Sequence, residues 1–171
     1  MKKAITCFSI LAVLSCSTFA GQHNKHRVSV KQISHQLNQQ FPFTLDFKGI
    51  KAAFAEPKLI LDVLEQNVSV EVSMLTQSDG SWVKVPCKLT GQIVFDPVDK
   101  HLVLDNLLFD DPTNAHQLFG DSAPLISAIK RTIVNHLPDL TLVDFTLSNT
   151  PFSTASTRGL LIQSRHVQLS Y

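Results

Sequence analysis

Asp121-Ser-Ala-Pro-Leu-Ile-Ser-Ala-Ile-Lys-Arg-Thr-Ile-Val-Asn-His-Leu-Pro138 is the stretch on which the reading of the fold turns. It carries helix signals at both ends. Ser122 or Asp121 can accept an orphan backbone N–H as N-cap, and Pro124 sits in the first turn, where a missing N–H costs nothing. Pro138 ends the helix and pushes Leu137 out of the helical region. At about 100° per residue, Leu125, Ile126, Ile129, Ile133 and Leu137 fall on one side. Ala128, Thr132 and His136 widen that side to roughly half the circumference. So wide an apolar arc calls for a concave partner. Nearly everything else reads as strand, so the expected fold is α+β: a strongly curved antiparallel sheet wrapped around one long helix, with a short N-terminal helix.

Working back from that helix, residues 115–119 read as one helical turn and three long strands precede it, at 58–75, 81–95 and 101–109. In the first, Val68, Val70 and Val72 alternate with Ser69, Glu71 and Ser73, so one face meets a core and the other meets water. In the second, Leu89, Gly91, Ile93 and Phe95 share a face; Gly91 marks a bulge or a close approach by the helix. Gln77-Ser-Asp-Gly80 and Asp96-Pro-Val-Asp-Lys100 are the turns of an antiparallel meander. Earlier still, Phe43, Leu45 and Phe47 alternate with Thr44 and Asp46 as a half-buried strand, and 49–57 is ambiguous. Val28-Ser-Val-Lys-Gln32 opens a short helix over 30–40: Ser29 and Gln32 form a capping box, and Val28 with Ile33 a hydrophobic staple. Residues 21–27 read as a polar, mobile tail. Its His23 and His26 invite a metal reading, but histidines in a terminus are more often simply polar. After the helix come a strand at 140–147, a loop at 149–158 and a closing pair of strands at 159–162 and 167–171.

The first twenty residues read as a secretory leader. Lys2 and Lys3 precede an apolar run, Ala4 to Leu14, and a small, polar segment ending at Ala20. Two processing routes fit: ordinary cleavage after Ala20, or lipidation at Cys16, preceded by Val13-Leu14-Ser15 with Leu14 bulky for a lipobox. Residues 21–171 are the size of one domain. Losing Lys2 and Lys3 leaves thirteen basic residues against fourteen acidic ones, with no basic stripe, which argues against a nucleic-acid partner. Beyond the leader no apolar run is long enough to span a bilayer. Cys87 is then the one unmodified thiol, read as a small apolar residue inside a strand.

Catalytic motifs are weak. Ser127-Ala-Ile-Lys130 has the S-x-x-K spacing of penicillin-recognising enzymes, but the S-D-N and K-T-G elements are absent and both residues fall on the polar side of the helix. Asp105, Asp110 and Asp111 are close in sequence without the glycine and closing glutamate of a calcium loop, and read as a strand end and turn. Trp82 reads as the cap of a strand. His136, inside the apolar arc, is either a core or rim residue satisfied by one hydrogen bond or a ligand-contacting, pH-sensing group.

The leader, the Val28-Ser-Val-Lys-Gln-Ile-Ser-His-Gln-Leu37 helix start, the long strands, the Pro124–Pro138 helix and the closing Arg158-Gly-Leu-Leu-Ile162 strand together resemble the YceB-like lipoprotein family of Gram-negative bacteria. Order and spacing carry the likeness over most of the chain after the leader; no single motif is diagnostic. The resemblance implies a fold similar to tubular lipid-binding proteins, in which a curved sheet wraps a long helix and leaves an apolar groove. The chain departs from the family in its weak lipobox.

These readings combine into one expectation. The chain is a non-enzymatic cell-envelope protein of the periplasm, anchored to the outer membrane if Cys16 is lipidated. It holds a lipid or other apolar ligand between helix and sheet, against Leu125, Ile129, Ile133 and His136, without cofactor or metal. The alternative is a structural or interaction protein that binds an envelope protein through an exposed apolar patch or sheet edge, hinted at by Val134, with no small ligand.

Overall fold

The capping box at Ser29 forms as its spacing requires. A computed structural model describes residues 25–78, 81–96, 98–110, 123–146 and 159–170. In it the Ser29 backbone N–H donates to Gln32 Oε1 at 2.9 Å and the Gln32 N–H donates to Ser29 Oγ at 3.3 Å, opening α1 (Val30–Gln40). Val28 and Ile33, either side of the cap, are both buried. The residues just before the cap are not a tail. β1 (Lys25–Ser29) pairs antiparallel with β9 (His166–Ser170), which pairs with β8 (Gly159–Gln163), making a three-stranded sheet of order β1-β9-β8. Val28 lies opposite Val167, both buried, and the His26 ring meets Phe145 edge-on at 5.6 Å. Strand pairing and these apolar contacts tie the segment down. The leader, Cys16 and His23 lie outside the described residues.

The main sheet is antiparallel, as expected, with six strands in chain order: β2 (Phe43–Phe47), β3 (Ile50–Asp62), β4 (Asn67–Ser78), β5 (Ser81–Asp96), β6 (His101–Asp110) and β7 (Leu140–Asp144). The stretch 58–75, expected as one strand, belongs to two. Asp62 accepts hydrogen bonds from the Leu64 and Glu65 N–H groups, each at 3.0 Å, and Gln66 takes φ 51°. That is an Asx turn, hidden in the sequence by the apolar run 59–64; Leu64 at its tip is 93% exposed. Period two holds on both sides of the turn. Ala52, Phe54, Val70, Met74, Val85, Leu89 and Leu104 face one core, shared with Ile33 and Leu37 of α1. On the opposite face the register aligns Lys58, Glu71, Lys88 and Asp110 across four strands.

Among the described residues there is no long helix wrapped by the sheet. α2 (Ala123–Ile133) has eleven residues, as has α1. After Ile133 the chain tightens into a 3-10 turn, Val134–His136, and Leu137 is extended at φ −65°, ψ 130°. Among the described residues the fold is therefore mostly β: a curled six-stranded sheet, a small second sheet and two short helices. Leu137 leaves the helical region, as expected from Pro138, but helical periodicity alone carries the α-helix on to His136, which lies in the 3-10 turn. The buried face of α2 is Ala123, Ile126, Ile129, Lys130 and Ile133, rotated away from Leu125 and His136. Lys130, expected in solvent, is 3% exposed, with its Nζ 5.5 Å from the centre of the Phe109 ring. Its long aliphatic stem lets it lie in the interface. The N-cap candidates Asp121 and Ser122, the expected turn at 115–119 and the loop at 149–158 lie outside the described residues.

The end of α1 closes the far edge of the main sheet. Gln40 Nε2 donates to the Thr141 carbonyl at 2.7 Å, and the Thr141 N–H donates to Gln40 Oε1 at 2.8 Å. The side-chain amide stands in for a neighbouring strand on β7, the last strand in the order. Gln66 does the same for Ile162 on β8, donating at 3.1 Å and accepting at 2.8 Å. Replacing Gln40 by leucine is expected to cost about 1–2 kcal/mol in denaturant unfolding. Gln40→Glu should not recover the loss, because a carboxylate cannot donate to the Thr141 carbonyl.

Candidate functional site

β2 and β3 are joined by Lys48 and Gly49, both with positive φ (51° and 83°). Two such residues make the tight hairpin turn whose twist matches the strands. The turn sets Ile50 and Lys51 beside α2. Between them opens a cleft of about 330 Å³, lined by Gly49, Ile50, Lys51, Gln77, Leu125, Ala128, Ile129 and Thr132. Leu125 is 40% exposed at its mouth, while Ile129 is buried at its base. Thr132 spends its hydroxyl on the Ala128 carbonyl at 2.8 Å and so turns little polarity toward the cleft. Lys51 is the one charged residue among the described lining residues. Its Nζ lies 3.9 Å from Asp46 Oδ2, with both side chains about three-fifths exposed (59% and 60%).

The four residues expected to line a ligand site separate. Leu125 and Ile129 share the cleft. Ile133 is fully buried and belongs to the core. His136 is exposed, its ring lying on Phe47 at 3.7 Å between centroids and 31° between planes. Lys48 Nζ stands 5.1 Å from the same ring. Ile50, Lys51 and Gln77 were not foreseen, because they come from the hairpin and the far end of β4. Gly49 was the available signal: a glycine after an alternating strand marks a turn, and so a strand returning beyond it.

A larger groove, about 520 Å³, lies along the charged row on the outer face and includes Glu56, Lys58, Glu71, Lys88 and Asp110. Its charges neutralise one another. Lys58 meets Glu71 at 3.1 Å, Lys84 meets Glu56 at 2.7 Å and Lys88 meets Asp110 at 2.8 Å. The hydrogen bond from Lys84, with a second from Ser73, holds the Glu56 carboxyl below its ordinary range. Such exposed, self-paired charges are a solvated lattice, so the smaller α2 cleft, with Lys51 as its one charged residue among the described lining residues, is the better candidate. Cys87 is buried within β5, as read from the sequence, and Trp82 is exposed near the start of that strand.

Asp105 and Asp139 face one another. The β6–β7 register pairs Leu104 with Leu140, which sets these carboxyls opposite each other where the pairing ends. Loss of hydration, then the hydrogen bond and charge of Asp105, raise the Asp139 carboxyl above its ordinary range. A raised carboxyl favours the folded state when protonated and opposes it when ionised. Asp139→Asn is therefore expected to raise the melting temperature at neutral pH. The gain should shrink as pH falls toward the carboxylate range, about pH 4, where the natural pair takes up its proton. A thermal-unfolding series across that range measures it.

Fold and cleft together describe a curled antiparallel sheet with an open, mainly apolar cleft where a short helix meets a hairpin. Compared with protein-family models and with curated proteins, the chain matches none of either.

Proposed function

We propose that this is an exported, non-enzymatic cell-envelope protein that binds an apolar ligand in the cleft between α2 and the β2–β3 hairpin. The observation that carries the reading is Leu125. It stands 40% exposed beside Ile50, Ala128 and Ile129, in an open space of about 330 Å³. Ligand sites are concave and mainly apolar, with few polar groups, and run from roughly 300 to 1,000 Å³. Export rests on the positive and apolar leader, and the same reading keeps the chain beside the YceB-like lipoproteins. The absence of catalysis is supported by His136, whose ring engages Phe47, an aromatic neighbour with no acid–base chemistry. Among the described residues no helix is long and apolar enough to cross a membrane.

The test is native mass spectrometry of the protein purified from its own envelope, with and without Leu125→Asp. A co-purifying apolar small molecule, lost in the variant, is the expected result. Protein that is consistently free of any guest would refute the reading.

A further inference from the structure

Resting on that reading, we infer that the cleft selects a single-chain amphiphile with an anionic head group, Lys51 receiving the head and Leu125, Ile50 and Ile129 the chain. The lining is asymmetric in charge: Lys51 supplies a cation, and no carboxylate is among the described lining residues. Gln77 adds an amide beside it that can donate a hydrogen bond.

Among the described residues the acid that meets Lys51 is Asp46, at only 3.9 Å and in solvent. An exposed pair at that distance holds little energy and leaves the ammonium donors available to a bound anion. A neutral or cationic head would leave Lys51 unanswered or repel it. The size of the cleft, about 330 Å³, lies at the small end of ligand sites and suits one chain better than the two of a bilayer phospholipid.

The experiment compares dodecanoate, dodecanol and dodecylammonium, equal in chain length and different in head group. Each binds the whole chain in equilibrium dialysis below its self-association concentration. Dodecanoate is expected to bind roughly fivefold to tenfold more tightly than dodecanol, as a charge-assisted hydrogen bond at an exposed site allows, and this preference should weaken as salt screens it. Lys51→Gln should bring dodecanoate down to the level of dodecanol. Asp46→Asn, by removing the competing carboxylate, should strengthen dodecanoate alone. Leu125→Asp should weaken all three. Thermal unfolding of each variant establishes that it is folded; all three positions are substantially exposed.

Equal binding of dodecanoate and dodecanol, or a Lys51→Gln variant that keeps the preference, would overturn the head-group inference and leave the apolar site standing. Failure of all three probes to bind, or indifference to Leu125→Asp, would overturn the site itself.

Discussion

Ile133→Ala is expected to lower the unfolding free energy by about 2–5 kcal/mol, the range for truncating a large aliphatic side chain in a core, while Leu125→Ala costs less than about 1 kcal/mol. The two residues have the same chemistry and stand two turns apart on one helix. Ile133 is fully buried, in the same core as Leu37, Leu104 and Leu142. Removing its methyl groups leaves a void that the surrounding core can fill only in part. Leu125 is 40% exposed, so its truncation removes few contacts. Its loss should instead appear in ligand binding, which Ile133→Ala changes only through stability. Denaturant unfolding beside a binding titration checks the split. If Ile133→Ala were as mild as Leu125→Ala, the packing assigned to the base of α2 would be wrong.

Gly91→Ala should be the next most damaging single change, at about 3 kcal/mol, the upper part of the range for overpacking. A Cβ on Gly91 would stand 2.5 Å from the Asp105 carbonyl oxygen, 3.1 Å from Leu107 Cδ2 and 3.2 Å from Leu104 Cγ. The first of these is backbone and cannot swing aside. The β5–β6 register shifts here, between Thr90 and Gln92, so the bulge brings β6 across the glycine. The sequence offered two reasons for a glycine in this strand, a bulge or an approaching helix. The bulge is present, and what approaches is the neighbouring strand. Gly159→Ala is the control: apart from its chain neighbours, no atom of the described residues lies within 4 Å of the added carbon, and the cost should stay within about 0.5 kcal/mol. Melting temperatures of the two variants, measured together, separate a steric clash from a general intolerance of alanine in strands.

Several features were legible because their causes are local. The capping box needs only Ser29 and Gln32 three residues apart, and it formed. The alternation of Val68, Val70 and Val72 placed all three on the core side. Asp96 accepts from the Val98 and Asp99 N–H groups at 2.8 and 3.2 Å, the hairpin turn read between two strands. Other readings failed where a distant partner decided. Residues 25–27 are polar enough to read as the end of a tail, and only β9 makes them part of a strand. Lys130 reads as solvent-facing until Phe109 is placed under its ammonium.

The candidate site follows the same division. By itself the sequence determined an antiparallel meander, a helix start at Val30 and an apolar helical stripe before Pro138. These follow from side-chain period, capping and the steric demands of proline, which act over a few residues. Only the tertiary structure decided how long the second helix is, which of its sides is buried, and that Leu125 and Ile129 face Ile50 and Lys51 across a cleft while Ile133 and His136 do not. An amphipathic stripe states that a helix must bury one side. Which residues stay at the rim depends on the shape of the surface that receives it, and here a six-stranded sheet and the Lys48-Gly49 turn supply that shape.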